Sequence, residues 1–108
     1  MSLITTHVLD AALGSPAAGI DVKLFDAAGR ELATGVTDAD GRIGELGPES
    51  LAPGAYSLHF AVAPYFERIN TPTFYPVVTI HFTVRHGEPH YHVPVLLSPF
   101  AYSTYRGS

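Results

Sequence analysis

Two histidines one residue apart, His90 and His92, open the last stretch of this 108-residue chain, and Tyr105-Arg106-Gly107-Ser108 closes it. In an extended segment, residues i and i+2 lie on one face, so the two imidazoles point the same way. An imidazole titrates near about pH 6.5, which lets a neutral ring take up or hand on a proton under ordinary conditions. His7 stands near the other end of the chain, on a segment of the same alternating kind. Three histidines in such segments leave three readings open. They can hold zinc as a three-histidine site, act as a metal-free proton-transfer pair, or sit as satisfied structural groups. The closing segment adds a phenol, a guanidinium and, with Ser108 last, a carboxylate. A terminal hairpin carrying all of these groups is expected to use them.

The elements that must position these groups read as short strands. Leu3 to Asp10 alternates, with Ile4, Thr6 and Val8 on one face and Leu3, Thr5, His7 and Leu9 on the other. Gly14-Ser15-Pro16 predicts a turn, Ile20 to Asp26 a strand, and Glu31 to Thr37 a third strand after a turn at Ala27-Ala28-Gly29-Arg30. Asp38-Ala39-Asp40-Gly41 has a flavour of a calcium loop, but its glycine falls one place early and no helices flank it. An Asx-type turn is the expectation there. Leu51 to Ala55 predicts a turn into a strand with Tyr56, Leu58, Phe60 and Val62 inward and Ser57, His59 and Ala61 outward. Pro64 to Asn70 predicts the one short helix, with Tyr65, Phe66 and Ile69 on its apolar face. Val77 to Arg85 is the clearest strand, His81 facing outward, and Arg85-His86-Gly87-Glu88-Pro89 reads as a hairpin loop.

The last stretch then reads as two strands broken once, at Pro99. On the first of them His90, His92, Pro94 and Leu96 share a face opposite Tyr91, Val93, Val95 and Leu97. Both faces carry apolar groups, so both require cover: one from the core, the other from a second subunit. Seven to eight strands with Gly/Pro turns predict an all-β fold, an antiparallel β-sandwich in a single domain over residues 1–108. His59, His81 and His86 are expected on solvated surface.

Composition narrows the function. A chain of this length buries roughly 65% of its unfolded surface. With 46% hydrophobic and 15% charged residues it is globular and not disordered. Its net charge is −4 and Lys23 is its one lysine, which argues against a nucleic-acid partner. Eight of the ten acids precede residue 51, whereas five of the six histidines and eleven of the twelve aromatics follow residue 54, so the second half is expected to bind. No cysteine is present, which removes disulfides and thiol nucleophiles. No signal or transmembrane pattern is seen; a cytoplasmic protein without a membrane partner is expected.

The closing Tyr105-Arg106-Gly107-Ser108, the opening Leu3-Ile4-Thr5-Thr6-His7-Val8-Leu9-Asp10 and the following Gly14-Ser15-Pro16-Ala17 resemble the transthyretin-like family over the whole chain. The closing tetrapeptide resembles its 5-hydroxyisourate hydrolase branch and separates it from the transthyretins that bind thyroid hormone. The resemblance implies a transthyretin-like (prealbumin-like) sandwich with one short helix. It implies a homotetramer, a dimer of dimers, with the site in a channel between dimers. It also implies hydrolysis of 5-hydroxyisourate, a product of urate oxidation, without metal or other cofactor. The family's catalytic residues fall on His7, Arg42, His92 and the terminal tetrapeptide, and so include Ser108.

In that frame His7 and His92 orient and deprotonate the water, and Arg42 holds the substrate's oxygens. Tyr105 bonds the substrate, Ser108 fixes an imidazole tautomer or the arginine, and Arg106 fixes the tail or stays on the surface. Parity places Pro94, Ser103 and Tyr105 on the channel face, with His90 lining its mouth. Two rivals remain: a transthyretin-like carrier of a flat aromatic ligand, and a prealbumin-like structural module. The paired imidazoles and the tail speak against both.

Overall fold

The computed structural model describes residues 2–108. Nine strands and one helix follow in order: β1 (Ile4–Asp10), β2 (Ser15–Pro16), β3 (Asp21–Asp26), β4 (Glu31–Val36), β5 (Arg42–Leu46), β6 (Gly54–Ala61), α1 (Val62–Arg68), β7 (Val78–Val84), β8 (Tyr91–Ser98) and β9 (Ala101–Thr104). They form the expected sandwich. One sheet runs β4-β3-β6-β7, each pair antiparallel. The other runs β2-β1-β8-β9, and β5 pairs with the same edge of β1 as β2 does, further toward its start.

Period-2 alternation drives the packing. Buried and half-buried residues alternate without a break along β1. Ile4 and Val8 meet Val22 and Leu24 of β3, Leu58 and Phe60 of β6, and Val95 and Leu97 of β8 in one core. Burial of each such side chain is worth about 1.5–3 kcal/mol. Helix α1 closes one end of this core with Val62, Tyr65 and Phe66. No helix among the described residues is long and apolar enough to cross a membrane.

Several details depart from the expectation. The helix begins at Val62, two residues before Pro64. Proline is accepted anywhere in a first turn, whose N–H groups have no helical partner, so it does not mark the start. Ile69 falls beyond the last turn and is exposed. The count of nine strands includes β2 and β5, where only turns or nothing regular were expected. Residues 85–89 do not close a hairpin, because β7 and β8 belong to different sheets. The loop crosses the sandwich, and β8 lies parallel to β1, from Ile4 opposite Tyr91 to Asp10 opposite Leu97. Ser57 shares the outward face with His59, its hydroxyl 3.0 Å from His59 Nε2, yet it is buried. His59 is half-buried against the Phe25 ring, 4.3 Å between centroids. Burial, and to a lesser degree the nearby His81, lowers the pKa of His59. His81 and His86 are exposed as expected.

Candidate active site

Three adjacent strands bring the candidate residues to one face. On β1, Thr5 lies opposite His92 and His7 opposite Pro94; on its other side, His7 lies opposite Arg42 of β5. Cross-strand partners project to the same side of a sheet. Arg42, His7, Thr5 and His92 therefore stand in a row across β5, β1 and β8, with His90 just before β8.

The loop before β5 fixes two of them. The Asp38 carboxylate accepts the N–H groups of Asp40 and Arg42, both at 2.9 Å, which makes the expected Asx turn. Gly41 has φ +75° and packs directly on the Val8 carbonyl oxygen, leaving no room for a side chain. Its carbonyl accepts the Val8 N–H at 2.7 Å, so the turn is pinned to β1. One result is that Arg42 starts β5 beside His7. The other is that the Asp40 carbonyl comes within 2.9 Å of His7 Nε2. A carbonyl only accepts, so His7 Nε2 carries a proton, and in the neutral form of the ring Nδ1 is the lone pair.

His92 is half-buried, and its Nδ1 lies 2.8 Å from the Thr5 hydroxyl. The same oxygen lies 3.0 Å from His90 Nε2. The two imidazoles are near-parallel, 14° between planes and 6.5 Å between centroids. Burial lowers the pKa of His92, and the charges of Arg42, His7 and His90 lower it further. The ring is thereby held neutral, the form that accepts a proton. Among the described residues, no three His, Asp or Glu side chains converge as a metal-ligand set.

The tail packs over His92. The β8–β9 register, Val95 opposite Thr104, continues past the end of β9 to His92 opposite Gly107. The Gly107 N–H donates to the His92 carbonyl at 2.8 Å. Arg106 anchors this segment: its guanidinium lies 4.6 Å from the centre of the Tyr91 ring and donates to the His90 carbonyl at 3.2 Å. An exposed ion pair with Glu88 at 3.5 Å adds little. Arg106 thus fixes the tail.

A hollow of ≈ 260 Å³ collects Arg42, His90, His92 and Ser108, with Thr5 and Gly44 on its wall. His7 stands beside it through its pairing with Arg42. Pro94 is buried beneath the tail, and Thr104 donates to its carbonyl at 2.7 Å. Ser103 lies opposite Leu96, four residues along β8 from His92, or about 13 Å at the usual rise per residue. Tyr105 lines a second hollow of ≈ 340 Å³ at the open edge of the sandwich, with Phe82, Tyr91 and Arg106; His92 lines both hollows. The structure therefore groups Arg42, His90, His92 and Ser108, and leaves Ser103 and Tyr105 off that hollow. Thr5 and the Asp40 carbonyl escaped the sequence reading, and Gly107 entered it only as part of the tail motif.

The HIUase/Transthyretin family model matches residues 4–107. A 5-hydroxyisourate hydrolase of Caulobacter vibrioides is 46% identical over 115 aligned positions that take in 100% of each chain. The solved 5-hydroxyisourate hydrolase of Klebsiella pneumoniae superposes with a TM-score of 0.90 at 36% identity, covering 99% of this chain and 100% of that one. Sea bream transthyretin in complex with thyroxine also superposes at 0.90, with 33% identity over 97% of this chain and 94% of its own. The fold, the matched residues and the full-length identities place this chain in the HIUase/transthyretin family.

Proposed function

We propose that this chain hydrolyses 5-hydroxyisourate to 2-oxo-4-hydroxy-4-carboxy-5-ureidoimidazoline, a step in urate degradation. Fold likeness alone does not choose between hydrolase and carrier, since the two superpose equally well. The observation that carries the reading is the chemistry gathered in one hollow: Arg42, a neutral half-buried His92 and Ser108, with His7 alongside. A carrier of a flat aromatic ligand does not need such a set.

In this mechanism a water molecule attacks the ring amide carbonyl. A lone pair on His92 or His7 takes its proton, which typically contributes about 10²–10⁴-fold to rate. Charge builds on the carbonyl oxygen, and the Arg42 guanidinium stabilises it; losing one such donor typically costs about 3 kcal/mol in the barrier. The carbon–nitrogen bond then breaks, and the departing nitrogen takes the proton back from the imidazolium. The products are the carboxylate and the ureido group. Ser108 holds the orientation of Arg42 or His92. No step calls for a metal.

At ≈ 260 Å³ the hollow is smaller than the roughly 300–1,000 Å³ usual for ligand sites. Leu9 and Leu96 are half-buried further along the same sheet, and Phe74, Phe100 and Tyr102 are exposed. These features support a homotetramer, a dimer of dimers, in which a second copy deepens the site. Light scattering at micromolar concentration checks this; a uniform monomer contradicts it.

The function is tested by adding the protein to fresh urate oxidase product and following its ultraviolet absorbance, with and without EDTA. Accelerated decay that survives EDTA is expected. Decay at the spontaneous rate overturns the assignment. Loss with EDTA and recovery with zinc would favour a three-histidine metal site.

A further inference from the structure

We propose that Thr5 is a positioning residue that couples His92 to His90, its hydroxyl setting which nitrogen of each ring carries a proton and passing a proton from one ring to the other. The inference rests on the reading of His92 as a base in the preceding subsection.

The geometry leaves few alternatives. Thr5 Oγ1 lies 2.8 Å from His92 Nδ1 and 3.0 Å from His90 Nε2. A hydroxyl has one proton and two lone pairs. When it donates to one imidazole it accepts from the other, and the tautomers of the two rings are then linked. In one arrangement His92 Nδ1–H donates to Thr5, and Thr5 donates to His90 Nε2. His92 Nε2 is then a lone pair, and His92 can act as a base. In the reverse arrangement His92 Nε2 carries a proton and cannot.

The strand register builds this bridge. Thr5 pairs directly with His92 in the parallel β1–β8 ladder, and His90 and His92 are i and i+2 on one face. The rings stand near-parallel, one on each side of the hydroxyl's reach. Arg106 bonds the His90 carbonyl, and Gly107 bonds the His92 carbonyl, so the tail fixes the backbone of both.

The bridge also offers a route for charge. When His92 Nε2 takes a proton from water, the ring becomes a cation. Its Nδ1 proton can move to Thr5 Oγ1 while the Thr5 proton moves to His90 Nε2. One proton has entered, no atom is lost, and the positive charge has passed to His90. Arg42 of β5, His7 of β1 and His90 face His92 and disfavour a cation there, and Ser108 lines the hollow with both rings.

The test compares Thr5→Val, which removes the hydroxyl and keeps the branched shape, with Thr5→Ser, which keeps the hydroxyl. Nitrogen-15 spectra of the histidine rings, recorded without substrate at neutral pH, report the tautomers. In the native protein and Thr5→Ser, His92 is expected protonated at Nδ1 and His90 unprotonated at Nε2. In Thr5→Val that complementarity is lost and the two rings titrate independently. Turnover of 5-hydroxyisourate is expected to fall about tenfold or more in Thr5→Val, with KM within about twofold, and to recover in Thr5→Ser. Unchanged tautomers in Thr5→Val, or no recovery with serine, overturn the proposal. If the native protein fails to hydrolyse 5-hydroxyisourate, the functional assignment falls, and the spectra still decide whether Thr5 couples the rings.

Discussion

Gly107 lies directly on the His92 imidazole: a methyl group added there would stand 2.5 Å from Cδ2 of the ring and 3.2 Å from Cγ. The contact is between the tail and the group proposed as the base. Gly107→Ala must therefore turn the ring or lift the tail. Turnover is expected to fall at least about tenfold, because sub-ångström placement of a base matters to rate. The melting temperature should barely move, since the tail carries no core residue. Steady-state kinetics and a melting curve check both halves. Native turnover would show that the ring is free to shift.

His92→Ala and Arg42→Ala should each lose about a hundredfold or more in turnover with the fold retained. His59→Ala and His81→Ala, on the opposite sheet, should stay near native rates. Equal losses at all four positions would show that the row across β5, β1 and β8 is the wrong face.

The pH dependence has a defined sign. His92 and His59 both have folded pKa values below the ordinary one. Below about pH 6.5 the unfolded chain binds protons that the folded one refuses. Stability is therefore fully present above about pH 6.5 and declines as pH falls toward the folded values. Melting curves from neutral to acidic pH should show this decline, and His59→Gln should lessen it. The acidic limb of activity should lie below pH 6.5 for the same reason. Arg42→Gln removes a positive neighbour, so the His92 titration followed by NMR should move up.

Deleting Arg106 to Ser108 removes Gly107 from His92 and Ser108 from the hollow. Turnover should fall about a hundredfold or more. Stability should change by no more than about 1 kcal/mol, because the Arg106 hydrogen bonds to Glu88 and the His90 carbonyl are exposed. A tag appended after Ser108 should act similarly, with an N-terminal tag as the control. Full activity of the truncated form would leave His7, His92 and Arg42 to carry the reaction alone.

Much of this was legible in the residues. Alternation in Leu3–Asp10 and Tyr91–Leu97 gave the faces of β1 and β8, and Pro99 marked the corner before β9. Strand β5 was hidden because Arg42-Ile43-Gly44-Glu45-Leu46 buries only Ile43 and Leu46, a spacing of three with glycine between. Its strand character comes from pairing with β1. The parallel β1–β8 ladder joins segments from opposite ends of the chain, and no local pattern encodes it. Thr5 reads as ordinary strand filler; only its register against His92 reveals two nitrogens within reach. Tyr105 follows the parity of the tail in sequence, but beyond β9 its side chain lines the edge hollow.

The β1–β8 ladder also sets an order of events during synthesis. The sheet β4-β3-β6-β7 is complete in sequence by Val84. Strand β1 emerges before the other described strands, yet its parallel partner β8 follows that whole sheet. Until then one edge of β1, with Ile4, Thr6 and Val8 beside it, has no permanent neighbour. Unpaired edges of this kind are where nascent chains associate wrongly. The proposed catalytic row cannot form until β8 has been made, so a chain that stops short of β8 would be inactive and prone to aggregate.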